Sequence, residues 1–223
     1  EARAELLGKV LADDPQNELA RRRRVGAHMQ NEQYDIANQE ADDGTASMTP
    51  VAFQTMIGVQ LGLPEGQRDW SRAYDYIAAI RKQTEEIEDE EIRARKETNI
   101  KLYEAEIKFH EGHTEEAEKL IVEARDAYPD DTSMWVALAK FRQRTDGIEA
   151  MFAVLDEAEE KLGPKMFFFQ KRIHGYQAMN SDDAESQLLA MEAEAREKYP
   201  EDMQVVLLAN LAEALLSLGN YDE

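Results

Sequence analysis

The sequence predicts an all-α chain of stacked antiparallel helix hairpins. Three observations carry that prediction. Apolar residues recur at three- and four-residue spacing through most of the chain, the period of a helix buried on one face. Capping and stopping residues cut the pattern into segments of helical length. The segments come in pairs, and the pair returns after about 34 residues, the step of a stacked repeat.

Residues 1–17 read as the second helix of a partial repeat, with Leu6, Leu7, Val10 and Leu11 as its stripe and Asp14-Pro15 as its stop. Residues 18–51 form a degenerate repeat with Val25 in its first helix and Tyr34 and Ala37 in its second. Its later stretch, Asn38 to Thr49, is polar and carries Gly44 where a small buried residue belongs, so it is expected to fray into a loop. Residues 52–97 form a divergent repeat. Leu63-Pro64-Glu65-Gly66 lengthens its turn, and Trp70, Ala73, Ile77 and Ile80 line its second helix. From Arg81 to Glu97 the chain is heavily charged, with Glu91 four residues before Arg95, and it is expected to extend the two helices that meet there as solvated helix.

Residues 98–131 give the clearest hairpin. Ile100, Tyr103 and Ile107 mark one stripe, and Ala117, Leu120, Ile121 and Ala124 mark the next. Gly112 suits the left-handed turn between them. Thr114 is the expected N-cap of the second helix, though Ala117 stands where a capping box needs Glu or Gln. Tyr128-Pro129 stops that helix. Residues 132–165 repeat the pattern with Trp135, Leu138, Ala139, Leu155 and Ala158 about a turn at Asp146-Gly147. Residues 166–204 do so again with Phe169, Ile173, Tyr176 and Leu189, a turn at Asn180-Ser181 and a second Tyr-Pro stop at Tyr199-Pro200. Residues 205–223 read as the first helix of a truncated repeat, with Leu208, Leu211, Ala212 and Leu215 on one stripe. The chain has no initiator Met and ends within that unit, so it reads as a piece of a longer protein.

These residues resemble the tetratricopeptide repeat (TPR) family. Trp135-Leu138-Ala139, Gly112 with Ala117 and Ala124 through Pro129, and Leu211-Ala212 through Gly219-Asn220-Tyr221 match its signature well. The unit from Ala52 departs most, with its longer turn and about ten extra residues before Thr98. The resemblance implies one continuous right-handed superhelical solenoid of antiparallel helix hairpins over 1–223 and a concave groove that binds protein or peptide segments.

Composition narrows the function classes. Against 26 Lys and Arg stand 47 Asp and Glu, a net charge of −21, which repels nucleic-acid phosphates and anionic lipid. There is no run of 18 apolar residues to span a membrane. The absence of cysteine removes disulfides, thiolate metal sites and a Cys nucleophile, and leaves the compartment open. No GxSxG, GxGxxG, phosphate-loop or DxDxDG motif occurs, so no enzyme activity, metal or cofactor is expected. Glu106, His110 and His113 approach metal-ligand spacing, but His113 lies beyond Gly112 and off the helix face. The run Glu85 to Glu91 reads as a solvated face, and Arg21 to Arg24 points around a whole helix turn, suited to pairing with neighbouring carboxylates.

Carried over residue by residue, the family's groove positions fall first on Asn99, Leu102, Tyr103, Glu106, Phe109 and His110. The next helix supplies Ser133, Val136, Ala137, Lys140, Gln143 and Arg144, and the one after it Phe167, Gln170, Lys171, His174, Gln177 and Ala178. The last gives Val206, Ala209, Asn210 and Glu213. Leu102 and Glu106 occupy positions where co-chaperone relatives hold a terminal carboxylate with Lys and Asn, so that clamp is not expected. Phe167 is the member of the Phe167-Phe168-Phe169 triplet expected to stay outside the core, since three successive helical residues cannot share one face. The resulting expectation is a scaffold whose strip of Lys140, Arg144, Lys171 and His174 receives an acidic or amphipathic segment. Its rivals are an adaptor region of a larger enzyme, an acidic chaperone-like binder of basic proteins, and self-association through exposed end helices, above all Val205 to Leu218.

The register makes a direct prediction. Ala117→Leu should overpack a helix contact and cost ~1–3 kcal/mol by chemical denaturation, whereas Glu90→Gln should leave stability unchanged. Equal midpoints for wild type and Ala117→Leu would refute the register.

Overall fold

The computed structural model describes residues 2–45, 49–179 and 182–218. Among them are twelve α-helices, one short 3-10 turn at Glu65–Gln67 and no strand. No helix of the described residues is long and apolar enough to cross a membrane. The chain divides into two compact units, Glu1–Leu120 and Ile121–Glu223. The Asn180-Ser181 turn and the stretch from Gly219 onward lie outside the described residues.

The first unit opens with α1 (Ala2–Asp13), packed against α2 (Glu18–Gln30). Only Ala4 and Leu11 of α1 are buried, while Leu6 is 64% exposed and Val10 is also exposed. The expected four-residue stripe is therefore too wide. A helix with a single packing neighbour buries one narrow seam, here set by the seven-residue step from Ala4 to Leu11. Asn17 caps α2 by accepting from Ala20 N at 2.9 Å. The turn to α3 (Tyr34–Thr45) is made by Glu32 at φ 58, a left-handed position more usually given to Gly.

Helix α3 corrects the expected fray. It stays helical from Tyr34 through Thr45 because Ala37 and Ala41 pack against Val25 and Val59, and tertiary burial overrides weak local propensity. Residues 46–48 of the expected loop are outside the described residues. Thr49 then caps α4 (Pro50–Gly62), two residues before the expected start at Ala52, with Pro50 opening the helix where its missing N–H costs nothing. Gln60 is buried but satisfied. Its amide donates to Asn38 Oδ1 at 3.1 Å, and its carbonyl accepts from Asp69 N at 2.7 Å.

The charged stretch divides as expected. Helix α5 (Ser71–Glu85) ends, Asp89 caps Ile92 N at 2.9 Å, and α6 (Glu90–His110) begins. Phe53, Met56, Ile57, Ala73, Tyr76, Ile77, Ile100 and Ile107 form the core of this unit. Trp70 precedes α5 instead of lying within it. Arg81 on α5 reaches Glu104 on α6 at 2.6 Å.

Helix α7 (Thr114–Ala127) follows the turn at Gly112, whose φ is 87. Its first backbone bond, from Ala117 N, is accepted by His113 O, so His113 is the N-cap and Thr114 the first helical residue. That shifts the expected cap by one. Ala117 and Ala124 are fully buried, as their spacing requires.

In the second unit, Asp131 caps α8 (Thr132–Thr145), which pairs with α9 (Ile148–Leu162) across Gly147. Trp135 is fully buried. Its indole donates to Pro129 O at 2.7 Å, with the Arg125 guanidinium 4.7 Å from the ring centroid. Helix α10 (Met166–Met179) packs on α9, α11 (Asp182–Lys198) and α12 (Glu201–Ser217). Arg172, 8% exposed, ties α10 to α9 through Asp156 at 2.6 Å and Glu159 at 2.8 Å. The core joins Phe169, Ile173, Leu188, Met191, Ala195, Tyr199, Leu207, Leu211 and Ala214.

Two stripe assignments change here. Leu189 is 53% exposed because Leu188 and Met191 take the inward arc of α11, one step round the helix. Ala212 is exposed too, since Leu207, Leu211 and Ala214 define the inner face of α12, which begins at Glu201 behind Pro200 and not at 205.

Two glycines separate backbone need from packing need. A Cβ on Gly175 would lie 2.6 Å from the Met151 methyl and from the Phe152 ring, whereas one on Gly112 would meet nothing within 4 Å. Gly112→Ala is thus expected to cost about 1–2 kcal/mol through its left-handed backbone alone, with an unchanged near-UV circular dichroism spectrum. Gly175→Ala is expected to cost ~1–3 kcal/mol and to alter that spectrum, because Phe152 must leave Tyr176, 4.7 Å away between centroids. An unaltered spectrum for Gly175→Ala would count against the close approach of α9 and α10.

Candidate functional site

The groove positions expected on α6 serve mainly to complete the first unit. Tyr103 lays its ring on Phe53 with centroids 4.4 Å apart, and burial raises its hydroxyl pKa. His110 Nε2 sits 3.0 Å from Glu106 Oε1, and Trp70 stacks on the imidazole at 5.7 Å with planes 7° apart. Phe109 meets the same ring edge-on. The Tyr74 hydroxyl donates to Glu111 at 2.6 Å, and burial followed by that carboxylate pushes its pKa up. Asn99 is exposed. His113 points to Glu116, 3.8 Å away, instead of joining Glu106 and His110. No cluster of three or more metal-ligating side chains occurs among the described residues.

The basic run on α2 is divided among structural roles. Arg21 donates to Pro15 O at 2.7 Å and Arg24 pairs with Glu40 at 2.6 Å, while Arg22 and Arg23 point to solvent.

A site forms in the second unit between α10 and α12. Gln170, Ile173, His174 and Gln177 from α10 meet Asn210, Glu213, Ala214 and Ser217 from α12 around a cleft of about 340 Å³. The helix period explains the lining. Gln170, His174 and Gln177 lie on the arc opposite Phe168 and Phe169, and Asn210, Glu213 and Ser217 lie beside the inner seam of α12. Of the groove positions expected from sequence, Gln170, His174, Gln177, Asn210 and Glu213 come together here. Val136 is buried instead, one of six core residues of α8.

Ser217, Ile173 and Ala214 were not anticipated. Ser217 was legible, standing four residues after Glu213 and seven after Asn210 on the same arc.

One hydrogen-bond chain orders the cleft wall. Gln177 donates its amide to Ser217 Oγ at 2.8 Å, and the Ser217 hydroxyl donates to Ala214 O at 2.7 Å. The Gln177 carbonyl is left to accept from His174 Nδ1 at 3.2 Å. This network assigns the neutral imidazole a proton on Nδ1 and a lone pair on Nε2. It also keeps His174 off Ser217, because a carboxamide stands between them and cannot relay a proton as a base does.

A cationic edge adjoins the cleft. Phe167, 40% exposed, is the outward member of the triplet, while Phe168 and Phe169 are fully buried. The Lys171 ammonium lies 5.4 Å from the Phe167 ring centroid. Burial and, after it, the Lys140 charge on α8 hold the Lys171 pKa below the ordinary lysine range. Neither lysine has an ion-pair partner among the described residues. Arg144 lies exposed one turn beyond Lys140 on the same helix.

No family model matches the chain, nor does any curated protein or solved structure.

Proposed function

We propose that this chain is a non-catalytic, TPR-like scaffold that holds a protein or peptide segment along the outward face of α8, α10 and α12. The observation carrying this reading is the α10–α12 cleft. Gln170 and Asn210 place two carboxamides on its lining outside the Gln177–Ser217 hydrogen-bond chain, and a carboxamide offers both a donor and an acceptor to a peptide backbone. The hydrogen bonds that hold Ser217 to the Gln177 amide and to Ala214 O, with Gln177 between it and His174, support a binding role. The alanine spacing of the buried helix contacts supports stacked hairpins, and a right-handed solenoid is the arrangement such hairpins adopt.

The test is an array of labelled decapeptides sampling acidic, neutral and basic extended sequences. Peptides held by the wild type and lost from a Gln170→Ala, Asn210→Ala double variant of unchanged melting temperature support the reading. Equal retention by both proteins, or none by either, overturns it.

A second reading, self-association, rests on the outer face of α12. Val205, Ala209, Ala212 and Leu216 are exposed and spaced four, three and four residues apart, a helix-pairing seam opposite the buried Leu207, Leu211 and Ala214. The seam is self-complementary. A two-fold axis between Asn210 and Leu211 sets Val205 against Leu216 of a second copy and Ala209 against Ala212, with no carboxylate facing another. Light scattering should show mass rising toward a dimer over a concentration series, and Ala212→Glu should keep the chain monomeric. A wild type that is monomeric throughout excludes this reading.

A further inference from the structure

The cleft and its cationic edge differ in charge at their two ends, and the difference defines a ligand. At one end Lys171 of α10 lies beside the exposed Phe167 and within the field of Lys140 on α8, in a chain where carboxylates outnumber cations 47 to 26. Arg172, the next residue along α10, shows the contrasting treatment. It is buried and takes two carboxylates from α9. Lys171 is partly buried too, yet no carboxylate pairs with it among the described residues, and its burial and the Lys140 charge both work against its ammonium. A cation partly withdrawn from water with no counter-ion beside it opposes folding, and a seated anion removes that cost. The exposed Phe167 ring beside Lys171 adds an apolar wall to the same spot.

At the other end Glu213 lines the cleft, with the His174 Nε2 lone pair and the carboxamides of Gln170 and Asn210 on the same lining. Glu213 likewise has no ion-pair partner among the described residues. An acceptor-rich end of this kind suits a cation. Packed helices lie about 8–10 Å apart, so stepping from the α8–α10 edge to α12 takes about three residues of extended chain.

We infer that the segment bound here is a charge-polarised extended peptide, with a carboxylate beside an apolar side chain seated at Lys140, Lys171 and Phe167, and a Lys or Arg about three residues away at Glu213. The inference rests on the scaffold reading above and specifies what that scaffold selects. A carboxylate seated at the partly buried Lys171 ammonium and a cation meeting the Glu213 carboxylate each supply a counter-ion that these groups lack among the described residues. The two ends together fix the direction in which the segment lies, because the reversed peptide sets like charges against like.

The experiment uses the whole chain and fluorescein-labelled octapeptides, acetylated and amidated at their ends so that no terminal charge contributes. One carries Glu-Phe followed three residues later by Lys. Others carry the reverse order, Gln for Glu, Gln for Lys, or both changes. Anisotropy should show the first binding at least about tenfold more tightly than the neutral and reversed peptides. Lys171→Met should abolish the preference for Glu over Gln while keeping the preference for Lys. Glu213→Gln should do the opposite. Lys171→Met should also melt no lower than wild type, since it removes a partly buried, unpaired charge, and a loss of binding without loss of stability separates a ligand contact from a structural one. Binding that ignores peptide charge overturns this inference and leaves the scaffold reading standing. No binding of any peptide overturns both.

Discussion

The structure depends on how closely its helices approach. Ala37, Ala73, Ala117, Ala124, Ala158, Ala184 and Ala195 are fully buried, and at Gly175 even a methyl group would overlap the side chains of Met151 and Phe152. Small residues at the crossings let helix backbones come together, and the large residues beside them then fill the space at the density of a protein interior. Phe168, Phe169, Trp135 and Leu188 reach full burial because their neighbours at the crossing are small.

Close approach sorts each helix into faces, and the sorting makes the site. On α10 the inward arc holds Phe168, Phe169, Arg172 and Ile173, leaving Phe167, Gln170, Lys171, His174 and Gln177 on the other side. Helix α12 has three arcs: Leu207, Leu211 and Ala214 inside, Asn210, Glu213 and Ser217 on the cleft, and Val205, Ala209, Ala212 and Leu216 outside. Two such helices packed side by side leave a furrow between their neighbouring arcs, and its chemistry is whatever those arcs carry. Adjacent residues on α10 show how sharp the division is. Arg172 uses its planar, multi-donor head to pair with two carboxylates of α9, while Lys171, a single step round the helix, pairs with none among the described residues.

Helix identity and most of the packing were legible because period and capping are local signals. Trp135, Leu138, Ala139, Leu155 and Ala158 are buried as their spacing demands, and the charged stretch breaks into two helices at Glu86 to Asp89. The misreadings have two physical causes. Neighbouring positions on a helix lie only about 100° apart, so Leu189 and Ala212 pass for core on sequence grounds while Leu188 and Ala214 do the packing. Local propensity also says nothing about tertiary support. The polar sequence of α3 stays helical because distant Val59 covers its alanines, and His110 is occupied by Trp70, which no spacing rule connects to it. Five of the cleft residues were legible because facing helices bring equivalent arcs together. Ser217 was missed although it lies on the same arc.

A chain of charge −21 is a surprising place for an anion-seeking pair of lysines, and the distances involved resolve the conflict. At physiological ionic strength charges separated by more than about 8 Å are largely screened, so the acidic surface acts on an approaching ligand but contributes little once it is seated. In the proposed mode a carboxylate meets Lys171 at contact range and partly out of water, where screening is weakest. In that mode the net charge filters what arrives, holding off uniformly acidic molecules, and the lysines select what stays. A segment carrying both signs passes the filter and then meets an opposite charge at each end. A wholly basic segment would be drawn in by the net charge and rejected at Lys140 and Lys171. Selection by the order of charges, independent of their sum, is what a cationic edge on an acidic chain can perform and a uniformly charged surface cannot.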